Sequence, residues 1–217
     1  MNIKNFLNNE CHNKELSQII LRLCKSAIII SNSIRNNKEL DENLTFNSDG
    51  DKQKPLDVYA DNVLLDSINL NTVYGYCSEE QKGYKLISEN GNYIIITDPL
   101  DGSSNIECNV SVGTIFSILP KNKLPLNKAI LQSGNNQICA GYFIYGPKTE
   151  LYLTLGKGSF QFFLDKEKTF KKIRKLRIDT ATTEYSINSS YRRFWNKKIL
   201  KYILNCEKGK DGVRKKD

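Results

Sequence analysis

The chain has 217 residues, of which 39% are hydrophobic and 10% aromatic, and it carries a formal net charge of +8. This is enough apolar material for one sizeable core, or for one domain plus part of another. No stretch approaches the ~20 apolar residues that span a bilayer, and the start of the chain has no apolar run long enough for a signal peptide. We therefore expect a cytoplasmic protein without a membrane partner.

The six cysteines are spread along the chain and form no Cys-x-x-Cys pair. Reduced, partly buried thiols are the expected state, and the single histidine, His12, argues against a zinc centre. The positive charges are scattered, apart from residues 166–177 and the end of the chain. Because a phosphate-bearing small substrate explains a basic surface equally well, nucleic acid is not an expected partner.

Helices and a polar loop are predicted in the first third of the chain. Residues 13–36 carry apolar side chains at helical spacing. Residues 36–55 are rich in Asn, Asp, Glu, Gly and Lys and predict a long loop, and loops of this length are often functional lids. A second helix is predicted over residues 56–70, with Asp57 and Asp61 one turn apart.

Strands are predicted after the second helix. Residues 93–97 form a continuous apolar run, which is expected of a strand covered on both faces. Residues 146–147 and 156–158 are typical of turns, and residues 195–204 predict a helix. The predicted strands are residues 73–78, 83–87, 93–97, 113–119, 137–145, 150–154 and 159–164.

The apolar run at 93–97 leads directly into residues 98–104, Asp-Pro-Leu-Asp-Gly-Ser-Ser. Here a buried strand ends in a carboxylate, and Pro99 then fixes the backbone and removes an amide donor. In the resulting turn the Leu100 carbonyl can point the same way as the carboxylates of Asp98 and Asp101. Three convergent oxygens suit a hard divalent ion such as magnesium.

Three small residues follow, and their chemistry suits phosphate. Gly102, Ser103 and Ser104 offer backbone N–H groups and two hydroxyls, which bind phosphate well in a tight turn. An Asp-x-x-Asp pattern taken alone is equally typical of an ordinary polar turn. The full run, which continues into Asn105 and Ile106, is far more specific.

Residues 98–116 read Asp-Pro-Leu-Asp-Gly-Ser-Ser-Asn-Ile-Glu-Cys-Asn-Val-Ser-Val-Gly-Thr-Ile-Phe. They resemble, nearly letter for letter, the signature of class I fructose-1,6-bisphosphatases. The wider lithium-sensitive sugar phosphatase superfamily shares only the Asp-Pro-Leu/Ile-Asp core, and residues 114–119 look closer to bacterial members. Other segments that resemble the family in order and spacing are residues 15–18, 50–51, 56–58, 78–80, 140–146 and 185–191.

This resemblance implies an α/β fold, a layered α/β sandwich of the sugar-phosphatase type. Residues 1–189 would form a nearly complete N-terminal metal- and phosphate-binding domain, and residues 190–217 only the start of a truncated C-terminal domain. Family members continue beyond the position matching Asp217, with a further acidic magnesium ligand and the cationic groups that grip the substrate phosphates. We therefore expect this polypeptide alone to be inactive or nearly so, and a complete protein to be a homodimer or homotetramer.

The resemblance also implies two or more magnesium ions per subunit. Their ligands would be Glu79, Asp98, the Leu100 carbonyl and Asp101. Read without its neighbours, the pair Glu79 and Glu80 is equally typical of a solvated strand end.

Catalytic and substrate-binding roles follow from the same resemblance. Asp57 and Glu80 would position or deprotonate the attacking water, and Asp51 would lie on a loop that closes over the site. Alone, Asp57 is as typical of a helix N-cap, and Asp51 of an ordinary loop acid. The residues expected to hold the two substrate phosphates are Asp101, Gly102, Ser103, Ser104, Asn188 and Tyr191.

The implied activity is magnesium-dependent hydrolysis of the 1-phosphate of fructose 1,6-bisphosphate to fructose 6-phosphate, in gluconeogenesis or the Calvin cycle. Sedoheptulose 1,7-bisphosphate is an alternative substrate, and a non-catalytic truncated remnant is the alternative from another class. Residues 102–116 argue against an inositol monophosphatase or nucleotide phosphatase relative. Asn92 and Pro120 stand where the family's AMP site typically has a lysine and an arginine, so we expect no AMP inhibition.

Overall fold

The structure, a computed structural model, describes residues 1–36, 54–178, 180, 182 and 184–209. It divides into two compact units, Met1–Leu176 and Arg177–Asp217. The domain boundary that the sequence suggests, between residues 189 and 190, stays a prediction.

Three helices pack on one face of the sheet in the first unit: α1 (Ile3–Glu10), α2 (Lys14–Arg35) and α3 (Pro55–Ile68). The side chains of Asn2 and Asn13 cap α1 and α2 by accepting backbone N–H groups. The helices predicted over residues 13–36 and 56–70 are confirmed to within two residues at each end. Helix α1 was not predicted, because eight residues give little more than two turns of periodic pattern.

The sheet has eight strands in the order β2-β1-β3-β4-β5-β6-β7-β8. Strands β1 and β3 are parallel, and each other neighbouring pair is antiparallel. The strands are β1 (Val73–Ser78), β2 (Tyr84–Leu86), β3 (Tyr93–Asp101), β4 (Val112–Pro120), β5 (Cys139–Tyr145), β6 (Thr149–Thr154), β7 (Ser159–Leu164) and β8 (Phe170–Leu176). Sequence analysis missed β8, whose four lysine and arginine residues mask the apolar alternation and suit an exposed edge strand.

The main core lies between the helices and this sheet. Phe6 of α1 is fully buried, and its ring meets the rings of Phe160 and Phe162 edge-on, with centroids 4.8 and 5.0 Å away. Asn2 forms an isolated β-bridge to Lys171 of β8. Helix α1 is therefore held by the last two strands of the sheet.

A buried hydroxyl pair joins α2 to β6. The Oγ of Ser31 and the Oγ1 of Thr149 are 2.7 Å apart, and both side chains are 2% exposed. Thr149 Oγ1 also accepts from the Arg35 guanidinium at 3.3 Å, so neither buried hydroxyl carries the penalty of an unpaired polar group.

The second face of the sheet is covered mainly at one end, where helix α4 (Leu126–Ala129) packs on β1, β3 and β4. Ile94 and Ile95 are both fully buried, so β3 is covered on both faces there, as predicted. Further along, Ile115 and Tyr142 are 45% and 43% exposed, and Tyr142 stacks on Tyr152 with ring centroids 4.8 Å apart.

Gly141 of β5 lies in a position of close approach. A Cβ atom there would be 2.5 Å from the Tyr152 carbonyl oxygen and 2.7 Å from Cζ of Phe116. Any side chain would therefore have to move both neighbours.

The second unit holds a 3₁₀-helix, Ser189–Phe194, and helix α5 (Lys197–Glu207), which corresponds to the helix predicted over residues 195–204. Asn196 caps α5 by accepting from the backbone N–H groups of Lys198 and Ile199. Within the described part of the chain, no helix combines the length and apolar character needed to cross a membrane.

Candidate active site

The parallel pair β1 and β3 places two acids at one edge of the sheet. Ser78 at the end of β1 pairs with Thr97 of β3, and the Glu79 N–H continues the ladder to the Thr97 carbonyl at 3.1 Å. Glu79 and Asp98 are the residues that directly follow this pair. Because the two strands are parallel, both acids lie at the same edge of the sheet.

The Asp98 carboxyl has neighbours that oppose its ionisation. Burial, followed by the charges of Glu79 and Asp101, raises the pKa of Asp98 to about 7, against which the Leu100 N–H, 3.2 Å from Oδ1, acts weakly. Crowded carboxylates of this kind are relieved by a bound cation or a proton.

Asp57 lies in the first turn of α3 and is 5% exposed. Its Oδ2 accepts from the Lys54 backbone N–H at 2.9 Å and from the Ser103 hydroxyl at 3.2 Å. Its Oδ1 is buried without a hydrogen-bond partner, and burial raises the pKa of the Asp57 carboxyl. The N-cap considered for Asp57 is wrong, because Lys54 is the N-cap of α3 and Asp57 caps the helix from its third position by accepting the Lys54 N–H. One oxygen of Asp57 is left over for another partner.

The segment after Asp98 is shaped by a register shift in β3 between Asp98 and Asp101. Gly102 then adopts a left-handed conformation with φ of 75°, which suits glycine, and a 3₁₀-helix follows over Ser103–Asn105. Asp101 and Ser104 are exposed. The turn therefore presents its polar groups to solvent beside the strand end.

Two buried hydroxyls fix the back of this segment. The Thr114 hydroxyl donates to the Pro99 carbonyl at 2.7 Å. Thr114 Oγ1 is also 2.8 Å from the Tyr145 hydroxyl, which must be the donor in that pair. Sequence analysis gave Thr114 and Tyr145 no role, because each reads as an ordinary strand residue.

Two cavities border β3 near Asp98. One of about 540 Å³ is lined by Glu79 and Asp98 together with apolar side chains such as Ile96. Another of about 310 Å³ is lined by Asp101 and Gly102. Both are large enough for part of a small polar substrate.

The structure brings only some of the predicted site residues together. The charges of Glu79 and Asp101 raise the pKa of Asp98, and the Asp57 carboxylate accepts a hydrogen bond from the Ser103 hydroxyl. Glu80 is half-buried next to Glu79, and its N–H donates to the Ser78 hydroxyl at 3.2 Å.

Three predicted residues do not belong to the described part of the first unit. Asp51 lies outside the described residues. Asn188 and Tyr191 belong to the second unit, where the Asn188 side chain accepts from the N–H and hydroxyl of Ser190 at 3.1 and 2.7 Å. Tyr191 is 58% exposed. Their assignment to the distal phosphate stays a prediction.

The predicted donor set fits a hard divalent cation in its chemistry. It consists of carboxylate oxygens and one carbonyl oxygen, and Asp57 adds a buried carboxylate oxygen without a partner. Among residues 1–36, 54–178 and 184–209, no three His, Cys, Asp or Glu side chains lie close enough together to hold a metal ion. The role of the predicted ligands therefore stays a prediction.

A buried hydrogen-bond network lies beneath these acids and was not predicted. It joins Asp61 of α3, Tyr76 of β1, Thr97 of β3 and Gln81 of the turn after β1. The only sequence signal was the position of Asp61, one helical turn after Asp57.

Comparisons with known proteins identify the family of this chain. Residues 3–174 match the family "Fructose-1-6-bisphosphatase, N-terminal domain". A class 1 fructose-1,6-bisphosphatase of Alkalilimnicola ehrlichii is 44% identical over 179 residues, which are 78% of this chain and 54% of that protein. One from Neisseria meningitidis serogroup A is 43% identical over 176 residues, 80% of this chain and 54% of its own length.

A solved structure shows the same fold. The holo form of Leishmania major fructose-1,6-bisphosphatase superimposes with a TM-score of 0.86 at 26% identity, covering 94% of this chain and 68% of that one. The fold is therefore the α/β sandwich that the sequence predicted. The chain spans about half the length of the curated relatives it matches, and it belongs to the fructose-1,6-bisphosphatase family.

Proposed function

We propose that this chain supplies the metal- and phosphate-binding part of an enzyme that hydrolyses the 1-phosphate of fructose 1,6-bisphosphate to fructose 6-phosphate and inorganic phosphate, with magnesium as cofactor. The observation that carries the proposal is the set of acids that follow the last paired residues of β1 and β3, in a chain of this family. The named relatives are hydrolases of carbohydrate metabolism.

Glu79, Asp98, Asp101 and the Leu100 carbonyl would hold two or more magnesium ions. When bound, such ions neutralise charge on the phosphate oxygens and lower the pKa of a coordinated water. The raised pKa of Asp98 supports this assignment, because ionised neighbours in one place favour a bound cation.

Asp57 and Glu80 would orient the attacking water and take its proton. In the reaction a water oxygen forms a bond to phosphorus and the bond between phosphorus and the sugar oxygen breaks, while the departing sugar oxygen gains a proton. The unpaired Oδ1 of Asp57 supports its part, since a buried carboxylate oxygen without a partner can accept the hydrogen of a bound water, and burial raises the pKa of this carboxyl.

Gly102, Ser103 and Ser104 would hold the scissile phosphate with backbone N–H groups and hydroxyls. Asn188 and Tyr191 would hold the distal phosphate, and Asp51 would lie on the closing loop. We further propose that the complete protein is a cytoplasmic homodimer or homotetramer. It would act in gluconeogenesis or the Calvin cycle, and AMP would not inhibit it.

A chimera tests the activity. Residues 3–174 replace the matching part of the Neisseria meningitidis enzyme, and phosphate release from fructose 1,6-bisphosphate is measured with magnesium and after chelation. We expect magnesium-dependent release that Asp98→Asn abolishes and Asp66→Asn, a change at an exposed position on α3, leaves intact. A chimera that melts like the parent enzyme yet releases no phosphate would show the proposal to be wrong.

The same assay settles two finer points. Sedoheptulose 1,7-bisphosphate in parallel gives the substrate preference, and AMP up to millimolar concentration tests regulation. Inhibition at sub-millimolar AMP would contradict the expectation drawn from Asn92 and Pro120. The 217-residue chain assayed alone should release phosphate far more slowly than the chimera.

A further inference from the structure

We propose that Asp61 is a positioning residue, which holds the three elements carrying the candidate site acids in register through a buried network with Tyr76, Thr97 and Gln81. The inference rests on the proposed function, because it concerns the residues that support the proposed magnesium site. Asp61 itself is not placed in contact with metal or substrate.

The network has a defined direction. The Thr97 hydroxyl donates to the Tyr76 hydroxyl oxygen at 2.8 Å, and Tyr76 donates to Oδ1 of Asp61 at 2.7 Å. The Gln81 side-chain amide donates to Oδ2 of Asp61. Both oxygens of Asp61 therefore accept, each from a donor on a different element.

The surroundings make this network stiff. Asp61 and Thr97 are each 4% exposed and Tyr76 is fully buried. Hydrogen bonds are stronger in such a low-dielectric interior, and an unpaired member is correspondingly unfavourable. Loss of one hydrogen bond should therefore change the positions of the other members of the network.

Each member lies close in sequence to a candidate site acid. Asp61 is one turn of α3 after Asp57, and Tyr76 is three residues before Glu79 in β1. Thr97 directly precedes Asp98, and Gln81 is the second residue after Glu79. The carboxylate of Asp61 thus receives hydrogen bonds from the β1 strand, through it from β3, and from the turn that carries Glu79 and Glu80.

Asp61→Asn is the informative change because it keeps the shape and removes the charge that strengthens both hydrogen bonds. The new amide can still accept from Tyr76, and its NH₂ group can donate to Gln81 once the Gln81 amide turns over, but both bonds are then neutral and weaker. Gln81→Glu supplies a carboxylate of the same length at the other end. The double variant Asp61→Asn/Gln81→Glu therefore restores a charge-assisted donor–acceptor pair and should restore the geometry.

The experiment uses the 217-residue chain and two readouts. Mn²⁺ affinity is measured by electron paramagnetic resonance, and amide hydrogen exchange is measured for Glu79, whose N–H bonds the Thr97 carbonyl at 3.1 Å. The Phe143 amide of β5, in a strand paired on both sides, reports global opening. Asp66→Asn is the matched control, with the same chemical change at an exposed position of the same helix.

We expect Asp61→Asn to weaken Mn²⁺ binding by about tenfold, as loss of supporting groups around metal ligands typically does. Exchange at Glu79 should accelerate more than exchange at Phe143. The double variant should recover both readouts, and Asp66→Asn should change neither.

Other outcomes separate the two proposals. If the unmodified chain binds no Mn²⁺, the assigned ligands do not suffice to hold a metal ion in this chain, and the exchange at Glu79 alone decides whether Asp61 positions the strand ends. If Asp61→Asn accelerates exchange equally at Glu79 and Phe143, or leaves the affinity and the Glu79 exchange unchanged, Asp61 is no positioning residue. Failure of the double variant to recover would likewise overturn the inference.

Discussion

Asp98→Asn should stabilise the metal-free protein at neutral pH while removing a candidate magnesium ligand. Burial, and then the charges of Glu79 and Asp101, raise the pKa of the Asp98 carboxyl to about 7. An amide of the same shape carries no charge, so it avoids both the desolvation and the repulsion. Stability and metal binding are therefore expected to change in opposite directions.

The magnitude follows from the pKa. A rise from 3.8 to about 7 corresponds to about 4 kcal/mol for a fully shielded group, and solvent screening at this half-buried position reduces it to about 2 kcal/mol. Because the folded-state pKa is the higher one, the folded state binds more protons than the unfolded state between about pH 4 and pH 7. Stability from this group is thus present at low pH and is lost as the pH rises through that window.

Urea unfolding followed by circular dichroism, in the presence of a chelator, measures this effect. The gain in unfolding free energy of Asp98→Asn over the unmodified chain should grow between pH 4.5 and 7.5, towards about 2 kcal/mol. Asp66→Asn, at an exposed position, should stay within about 0.5 kcal/mol. A gain that is the same at every pH would refute the reasoning, because it could not come from the Asp98 titration.

Three further predictions concern the core, each measured by urea unfolding. Phe6→Ala should lower the unfolding free energy by about 3–5 kcal/mol, and a loss below about 1 kcal/mol would contradict the packing of α1. Gly141→Ala should lower it by about 1–3 kcal/mol, whereas Gly134→Ala, where a Cβ meets nothing within 4 Å, should change it little; equal effects would contradict the close approach. Ser31→Ala should lower it by about 1 kcal/mol, because Thr149 keeps the Arg35 guanidinium as a partner at 3.3 Å, and the losses of Ser31→Ala and Thr149→Val should be less than additive; additive losses would argue against the pair.

The local elements were largely readable because their patterns are local. The helix over residues 13–36 needs only its apolar spacing and its cap, and residues 93–97 needed only an unbroken apolar run. Pairing was less accessible. That β1 lies parallel to β3, with β2 on its other side, depends on contacts between distant segments that no short pattern encodes.

The candidate site shows the same division. The residue types of 98–104 were enough to predict that this segment binds a cation and a phosphate. The unpaired Oδ1 of Asp57 could not be predicted from the sequence, because it follows from how α3 is buried against the rest of the fold. Tyr76 and Thr97 looked like ordinary strand residues, since their partners are set by the register between β1, β3 and α3.

The bridge between Asn2 and Lys171 bears on how the chain is made. At ~5–20 residues per second, roughly 10–30 s pass on the ribosome between the appearance of α1 and that of the strand which holds it. During that interval the ring of Phe6 has no β7 or β8 to pack against, and its apolar surface is available to other nascent chains or to a chaperone. Yield in a cell should therefore depend on what shields this helix while the rest of the sheet is synthesised.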